Sequence, residues 1–330
     1  MESRYGITIA GTGAYAPSNV ITNHDLEQRV DTSDEWIRTR TGICERHIAA
    51  DDEPTSAMAF EAAARALDAA GMDADELDLI IVATLSPDTV MPNTACHLQR
   101  RLKATRAACF SLEAACTGFL YGLQAGADMI RAGTFSNALI VGAEKLSAYT
   151  NWEDRNTCVL FGDGAGAAVL KRAPADGDAL LGGFLAADGN YTDLLIIPGG
   201  GSLAPAARNE QGERTNFIQM AGREVFKLAV NIMAEACEKA LAKSGCSIDD
   251  VRWLIPHQAN IRIIKGVGRR LGLEDERVAV NVDRYGNTSA ATIPLMLDEL
   301  VRGDQVKKGD LLLLTAFGGG ITWGAQLIRW

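Results

Sequence analysis

The sequence is poor in histidine, has no paired cysteines and lacks long apolar runs, and each shortage closes off a class of protein. Four histidines (His24, His47, His97, His257) and seven cysteines without a CxxC pair supply neither a zinc-ligand spacing nor the even set of a disulfide framework. No metal is expected, and the thiols are expected to stay reduced. No stretch reaches the roughly 18 uninterrupted apolar residues that a membrane span requires. The opening MESRYGITIAGTG has an acid at once and an apolar run too short for a secretory leader, so a cytoplasmic location without membrane contact is expected. Positive charge is in deficit as well. A net charge of −10 argues against general nucleic-acid binding, while a local basic patch remains available for an acidic partner.

What is present is an ordinary globular composition, 47% hydrophobic and 22% charged, in 330 residues, enough for two domains or one large one. The chain is organised around Phe110 to Arg131, FSLEAACTGFLYGLQAGADMIR. A short apolar run turns through Ala114 and Ala115, and apolar residues then recur at Phe119, Leu120, Leu123, Ala127 and Ile130, the spacing of one helix face. Cys116 sits at the hinge. There, unpaired backbone N–H groups and the positive end of the helix dipole favour thiolate over thiol. Small neighbours and Gly118 leave room for an incoming group. Read alone, a cysteine among apolar residues is more often an inert core thiol; the strand-to-helix position singles out Cys116.

In chain order, YGITIA at 5–10 predicts a strand, and the glycines that follow lack the third glycine and the helix of a dinucleotide loop. Asn23 is a plausible N-cap, and Trp36, Arg38, Arg40 and Arg46 are expected to pack close together. Thr55 to Ala70 has helical spacing and stops at Gly71. LDLIIVATL at 77–85, Arg106 to Leu112 and Ala138 to Gly142 read as buried strands, with a helix over Thr94 to Leu102. Thr157–Phe161 and Gly164–Leu170 flank FGDGAG, which lacks the lysine of a phosphate loop and reads as a hairpin-like turn between two strands. After a loop-rich stretch over 173–215, Gly222 to Ser244 is a long amphipathic helix closed by Gly245.

The order then repeats. VRWLIPHQAN takes the place of LDLIIVATLSPD, Ile261 to Leu271 is a helix, Arg277 to Val282 a strand, and YGNTSAATIPLMLDELVRG matches the Cys116 helix in position and length. Two halves, 1–172 and 173–330, thus carry one βαβαβ-type order twice. Helices are expected on both faces of two parallel-containing sheets, with the two central helices packed against each other. In such a duplicated α/β fold the equivalent strand ends meet at one place. Cys116, His257 and Asn287 fall there. His257 alone would pass for a structural histidine and Asn287 for an N-cap; their matching positions distinguish them.

The motifs AACTGF, PHQANIRI, YGNTSAATIP and AFGGGITWG together resemble the thiolase-like condensing enzymes, specifically the β-ketoacyl-[acyl-carrier-protein] synthase III family, over essentially the whole chain. The resemblance implies a thiolase-like duplicated fold in an α-β-α-β-α layered arrangement. It implies a Cys116, His257, Asn287 catalytic set and an oxyanion hole from the N–H groups of Cys116 and Gly319. Expected substrates are an acyl-CoA and malonyl-acyl-carrier protein, with no further cofactor. Thr32, Trp36, Arg40 and Arg155 match the family's CoA contacts, Trp36 and Arg155 being the pair that sandwiches adenine. The family is homodimeric, and Met91 holds the position that reaches across the dimer to cap the acyl pocket. Arg223 stands where some relatives have Asn at a pantetheine contact.

Arg262, Lys265 and Arg269 recur at i, i+3, i+7 with Arg270 beside them. In isolation that is a solvated face; near His257 in an acidic chain it is a candidate docking site for the carrier protein. The implied reaction is decarboxylative condensation that initiates fatty-acid synthesis from a short starter, with a secondary-metabolism condensing enzyme of the same chemistry as the rival. A non-enzymatic partner subunit would lack Cys116, and a degradative thiolase would need a second cysteine near the C-terminus. A thioester hydrolase would release the acyl group to water instead.

Overall fold

The computed structural model describes residues 5–330, so the first four residues, on which the leader expectation partly rests, lie outside the described residues. The first sheet is built from β1 (Gly6–Tyr15), β2 (Leu79–Ala83), β3 (Ala108–Leu112), β4 (Asn137–Glu144) and β5 (Gly164–Ala173). Its order is β1-β5-β4-β2-β3, with β2 parallel to both β3 and β4, and with β5 antiparallel to its two neighbours. The second sheet uses β6 (Leu180–Ala187), β7 (Val251–Pro256), β8 (Leu311–Gly318) and β9 (Thr322–Arg329), in the order β7-β8-β9-β6 with only β7 and β8 parallel. Their apolar runs are buried on both faces, as strands between helix layers must be.

The helices that matter are α1 (Asp34–Thr41), α2 (Thr55–Ala69), α3 (Thr94–Leu102), α4 (Gly118–Arg131), α5 (Gly222–Ser244), α6 (Ile261–Arg270) and α7 (Thr292–Arg302). α2 covers the outer face of the first sheet and α5 that of the second, while α4 and α7 lie between the sheets. The layering is therefore α-β-α-β-α. A shared core joins Phe119, Leu120, Leu123 and Ile130 of α4 to Ile293, Met296, Leu297 and Leu300 of α7, and to Leu312 and Leu314 of β8.

Four local expectations are corrected. The central helices meet chiefly through the short turns that precede them, 115–117 and 289–291, rather than along their bodies. Ala115 (φ 45°) and Ser289 (φ 48°) both adopt the left-handed region at the start of those turns, a conformation that costs a non-glycine residue about 1–2 kcal/mol. Gly142 of β4 allows the second turn its close approach, since a Cβ there would lie 2.2 Å from the Ala290 carbonyl oxygen. Second, Arg277–Val282 is no strand. It makes one parallel bridge, with Ala279 N donating to Leu254 O (2.9 Å), and beyond it the amide of Gln258 donates to Ala279 O (3.0 Å) and accepts from Asn281 N (2.9 Å) and Val282 N (3.2 Å), so one side chain takes over from a strand ladder.

Third, 157–161 forms a turn that contributes a single bridge, with Asn287 N donating to Leu160 O (2.8 Å) and Gly162 N to Asn287 O (3.1 Å). Fourth, Thr22 and not Asn23 caps the first short helix, in a capping box with Asp25. The side chain of Asn23 is engaged elsewhere, by Asp34, Ile43 O and Arg46.

Candidate active site

Cys116, His257 and Asn287 all line one cavity of about 690 Å³, together with Ser289, Gly319 and Gly320. Its remaining wall is mostly apolar, including Leu85, Leu146, Phe161, Leu195, Ile197 and Ile218. A larger, more open groove of about 1040 Å³ holds none of the three.

Each of the three is delivered by a different strand end or turn. Cys116 lies in the turn between β3 and α4 and is 7% exposed. Glu113 accepts from Ala115 N at 2.7 Å, and Thr117 Oγ1 donates to Ala114 O at 2.6 Å, so the turn is pinned on both sides of the cysteine. The FGGG turn after β8 presses against it: a Cβ on Gly318 would sit 2.7 Å from Cys116 N, which restricts that position to glycine. Gly319 and Cys116 consequently share one end of the cavity.

The thiol differs from its sequence-based expectation. Burial pushes Cys116 up to about 12, the nearby Ser289 hydroxyl pulling down against it and the Glu144 and Glu113 carboxylates adding to the rise. Desolvation outweighs the helix terminus, and Cys116 rests as a neutral thiol. Glu144 lies behind Ser289, wholly buried, accepting from Ser86 Oγ (2.6 Å), Thr84 Oγ1 (3.2 Å) and Leu85 N. Burial pushes that carboxyl up to about 7.

His257 follows β7 directly, and its backbone N–H donates to Thr315 O of β8 at 2.8 Å. Its Nδ1 is 2.7 Å from Thr292 Oγ1, at the first turn of α7. Burial pushes the ring down to about 3, so it is neutral at physiological pH. Asn287 is 8% exposed and does not cap α7. Its Oδ1 accepts from Ser289 N at 2.8 Å, which leaves Nδ2 as the end turned to other partners. The cavity therefore offers a thiol, a neutral imidazole and an amide donor, with no ionised group among those three.

A family model described as 3-oxoacyl-[acyl-carrier-protein (ACP)] synthase III matches residues 110–189, and its C-terminal counterpart matches 241–330. A β-ketoacyl-[acyl-carrier-protein] synthase III of Desulfitobacterium hafniense is 53% identical over 98% of both chains. The chain belongs to the 3-oxoacyl-[acyl-carrier-protein] synthase III family. The crystal structure of the synthase III from Aquifex aeolicus superposes with a TM-score of 0.90 at 48% identity, covering 98% of this chain and all of that one. The priming β-ketosynthase of the R1128 polyketide pathway superposes with a TM-score of 0.92 at 34% identity, covering 100% of this chain and 97% of that one. The thiolase-like fold and a condensing acyltransferase activity follow from membership of the synthase III family.

Of the other predicted residues, Gly319 lines this synthase III cavity and the rest do not. Asn260, which does line it, donates to Arg40 O at 3.0 Å and so ties α1 to the start of α6. Trp36 is flanked by two guanidinium groups, Arg40 4.7 Å and Arg155 4.6 Å from its ring centroid. Arg155 also donates to Asp31 O at 2.8 Å, and among the described residues the buried Thr32 Oγ1 beside it has no partner. An adenine between Trp36 and Arg155 requires the arginine to swing away, because the two stack on each other here. Arg46 is not in this cluster: it is 0% exposed and bonded to Ile21 O, Asn23 and Val159 O. Arg38 pairs with Asp34.

On α6, Arg262, Arg269 and Arg270 are exposed, whereas Lys265 is held by Asp275 at 2.8 Å. Met91 is 87% exposed and does not line the cavity of its own chain. Arg223 is exposed at the start of α5. Among the described residues no His, Cys, Asp and Glu cluster suits a metal ion, and no helix is long and apolar enough to cross a membrane. Sequence reading missed Ser289, Glu144 and Thr292. Only the NTSAAT run around two of them carried a signal, as a polar, small-residue helix entrance.

Proposed function

We propose that this chain condenses a short acyl-CoA, acetyl-CoA in the first instance, with malonyl-acyl-carrier protein to give 3-oxoacyl-carrier protein, CoA and CO2, the step that initiates fatty-acid synthesis. The observation that carries the reading is the convergence of Cys116, His257 and Asn287 on one largely apolar cavity. Cys116 Sγ attacks the thioester carbonyl, the C–S bond to CoA breaks, and the thiol proton ends on the CoA sulfur, so acyl transfer is proton-neutral. Backbone N–H groups of Cys116 and Gly319 hold the oxyanion. In the second half-reaction the malonyl carboxylate leaves as CO2 and its electron pair forms an enolate. His257 Nε2–H and Asn287 Nδ2–H donate to the enolate oxygen. The enolate carbon attacks the acyl group, Cys116 departs as thiolate, and one proton from solvent restores the thiol.

Mass spectrometry tests the sequence of events. Incubation with acetyl-CoA should add one acetyl group at Cys116, and malonyl-carrier protein should then remove it with formation of 3-oxobutanoyl-carrier protein. Release of free acetate instead would make the protein a thioester hydrolase. The 53% identity to the Desulfitobacterium hafniense synthase III, against 34% to the polyketide priming enzyme, favours fatty-acid initiation over a secondary pathway.

Trp36, Arg40, Arg155 and Thr32 are assigned to CoA, the indole taking the adenine once Arg155 turns aside. Arg262, Arg269 and Arg270, with a lesser part for the paired Lys265, form the surface for the acidic carrier protein, in a cytosolic setting. Charge reversal at Arg262 and Arg269 together should raise the apparent Michaelis constant for the carrier roughly tenfold and leave that for acyl-CoA within about twofold. Equal constants in variant and parent would remove the patch from this reading. Met91, exposed on its own chain, is assigned to the acyl pocket of a second copy in a homodimer; a monomer in sedimentation would refute that.

A further inference from the structure

We infer that Thr292 is the positioning residue that fixes His257 in its Nε2–H tautomer, by donating its hydroxyl proton to Nδ1 from the first turn of α7. The inference rests on the proposed role of His257 as a hydrogen-bond donor and explains how the fold supplies that donor. A neutral imidazole has one proton and two nitrogens, and the partner of one nitrogen decides the state of the other. Among the described residues Nδ1 has a single partner, Thr292 Oγ1 at 2.7 Å. Both residues are buried, His257 at 3% and Thr292 at 2% exposure, so no bulk water competes for either group.

The hydroxyl has one proton and two acceptors in reach. The alternative acceptor, Ser289 O, is farther away at 3.0 Å and already accepts from Thr292 N. Leaving that carbonyl with one donor instead of two costs little. Sending the proton there would instead force the ring proton onto Nδ1 and leave a bare lone pair on Nε2 facing the cavity. A lone pair against a developing enolate oxygen is repulsive. A carboxylate behind Nδ1, the arrangement of Ser-His-Asp hydrolases, accepts and therefore selects a basic Nε2. Threonine can donate. The residue type matches the need for an acid-side partner and not a base, and α7 holds it in place through Ile293, Met296 and Leu297 in the central core.

Histidine 15N NMR on the intact protein tests the assignment without reference to turnover. With only four histidines in the chain, the His257 signals are identified by their loss in His257→Asn. The ring should show a protonated Nε2 and an unprotonated Nδ1, and Thr292→Ser should preserve that pattern. Thr292→Val, which removes the donor at nearly constant volume, should convert it to a mixture. It should slow CO2 release from malonyl-carrier protein roughly ten- to a hundredfold, while transfer of acetyl from acetyl-CoA to Cys116 stays within about threefold. A proton on Nδ1 in the parent protein overturns the inference, as does a Thr292→Val protein that keeps both the tautomer and the CO2 release. Should Thr292→Val fail to fold, the parent and Thr292→Ser spectra decide alone. Undiminished CO2 release from His257→Ala would defeat the proposed function instead, and would do so whatever tautomer the spectra report.

Discussion

Asn287→Asp should form acyl-Cys116 at close to the parent rate and yet release CO2 from malonyl-carrier protein about 10²–10³ times more slowly, the usual cost of losing one oxyanion donor. The substitution is nearly silent structurally. Oδ1 of Asn287 accepts from Ser289 N at 2.8 Å, and the backbone is bridged to Leu160 and Gly162; an aspartate retains all three bonds. What changes is the other end of the side chain, where a two-proton donor becomes an acceptor. Near the enolate oxygen an anion repels the charge that decarboxylation creates, and nothing comparable develops there during acyl transfer. Burial should hold the new carboxyl above its ordinary range. Since its protonated form has an O–H to donate, CO2 release by the variant should recover as pH falls. Radiolabelled malonyl substrate separates the half-reactions. A variant impaired equally in both would show that Asn287 shapes the cavity and does not address the enolate.

The duplicated order was legible because it rests on patterns that burial enforces. LDLIIVATL and LLLLTAFG can only be strands shielded on both faces, and VFKLAVNIMAEAC can only be an amphipathic helix. Cys116, His257 and Asn287 were found by topology, since equivalent strand ends had to meet. Features that depend on one side chain taking over from backbone were hidden. Nothing in the sequence says that Gln258 would replace the ladder at 279–282, or that Asn23 would be drawn into a buried network and leave the capping role to Thr22. The protonation state of Cys116 was misread for a related reason. The helix terminus is visible in sequence, whereas the depth of burial that overrides it arises when the second half of the chain closes over the turn at Gly318.

Arg46 shows the same limit at its largest, and its replacement should be the most destabilising single change. Flanked by the half-buried Glu45 and His47, it is 0% exposed, and among the described residues no carboxylate is bonded to it. Nη1 donates to Asn23 Oδ1 (2.9 Å) and Ile21 O (3.2 Å), Nη2 donates to Val159 O (2.8 Å), and Nε has no partner among the described residues. Burial pushes the guanidinium down to about 10, the signature of a charge held by neutral acceptors. Through Val159 it fixes the 157–162 turn, and that turn bridges to Asn287. Arg46→Met takes a donor away from three buried acceptors but also removes the buried charge, so about 1–3 kcal/mol should be lost. Arg46→Lys keeps the charge and loses the fork that reaches both sides, so the loss should be about 3–5 kcal/mol. The lysine would have a folded pKa depressed below its unfolded value. Between those two values the unfolded chain binds the extra proton, so stability should rise with pH by up to about 1.4 kcal/mol per unit. Urea midpoints at neutral and alkaline pH measure both effects. If Arg46→Lys proves the milder substitution, or gains nothing relative to the parent as pH rises, the guanidinium is not the bridge that holds the Asn287 turn in register.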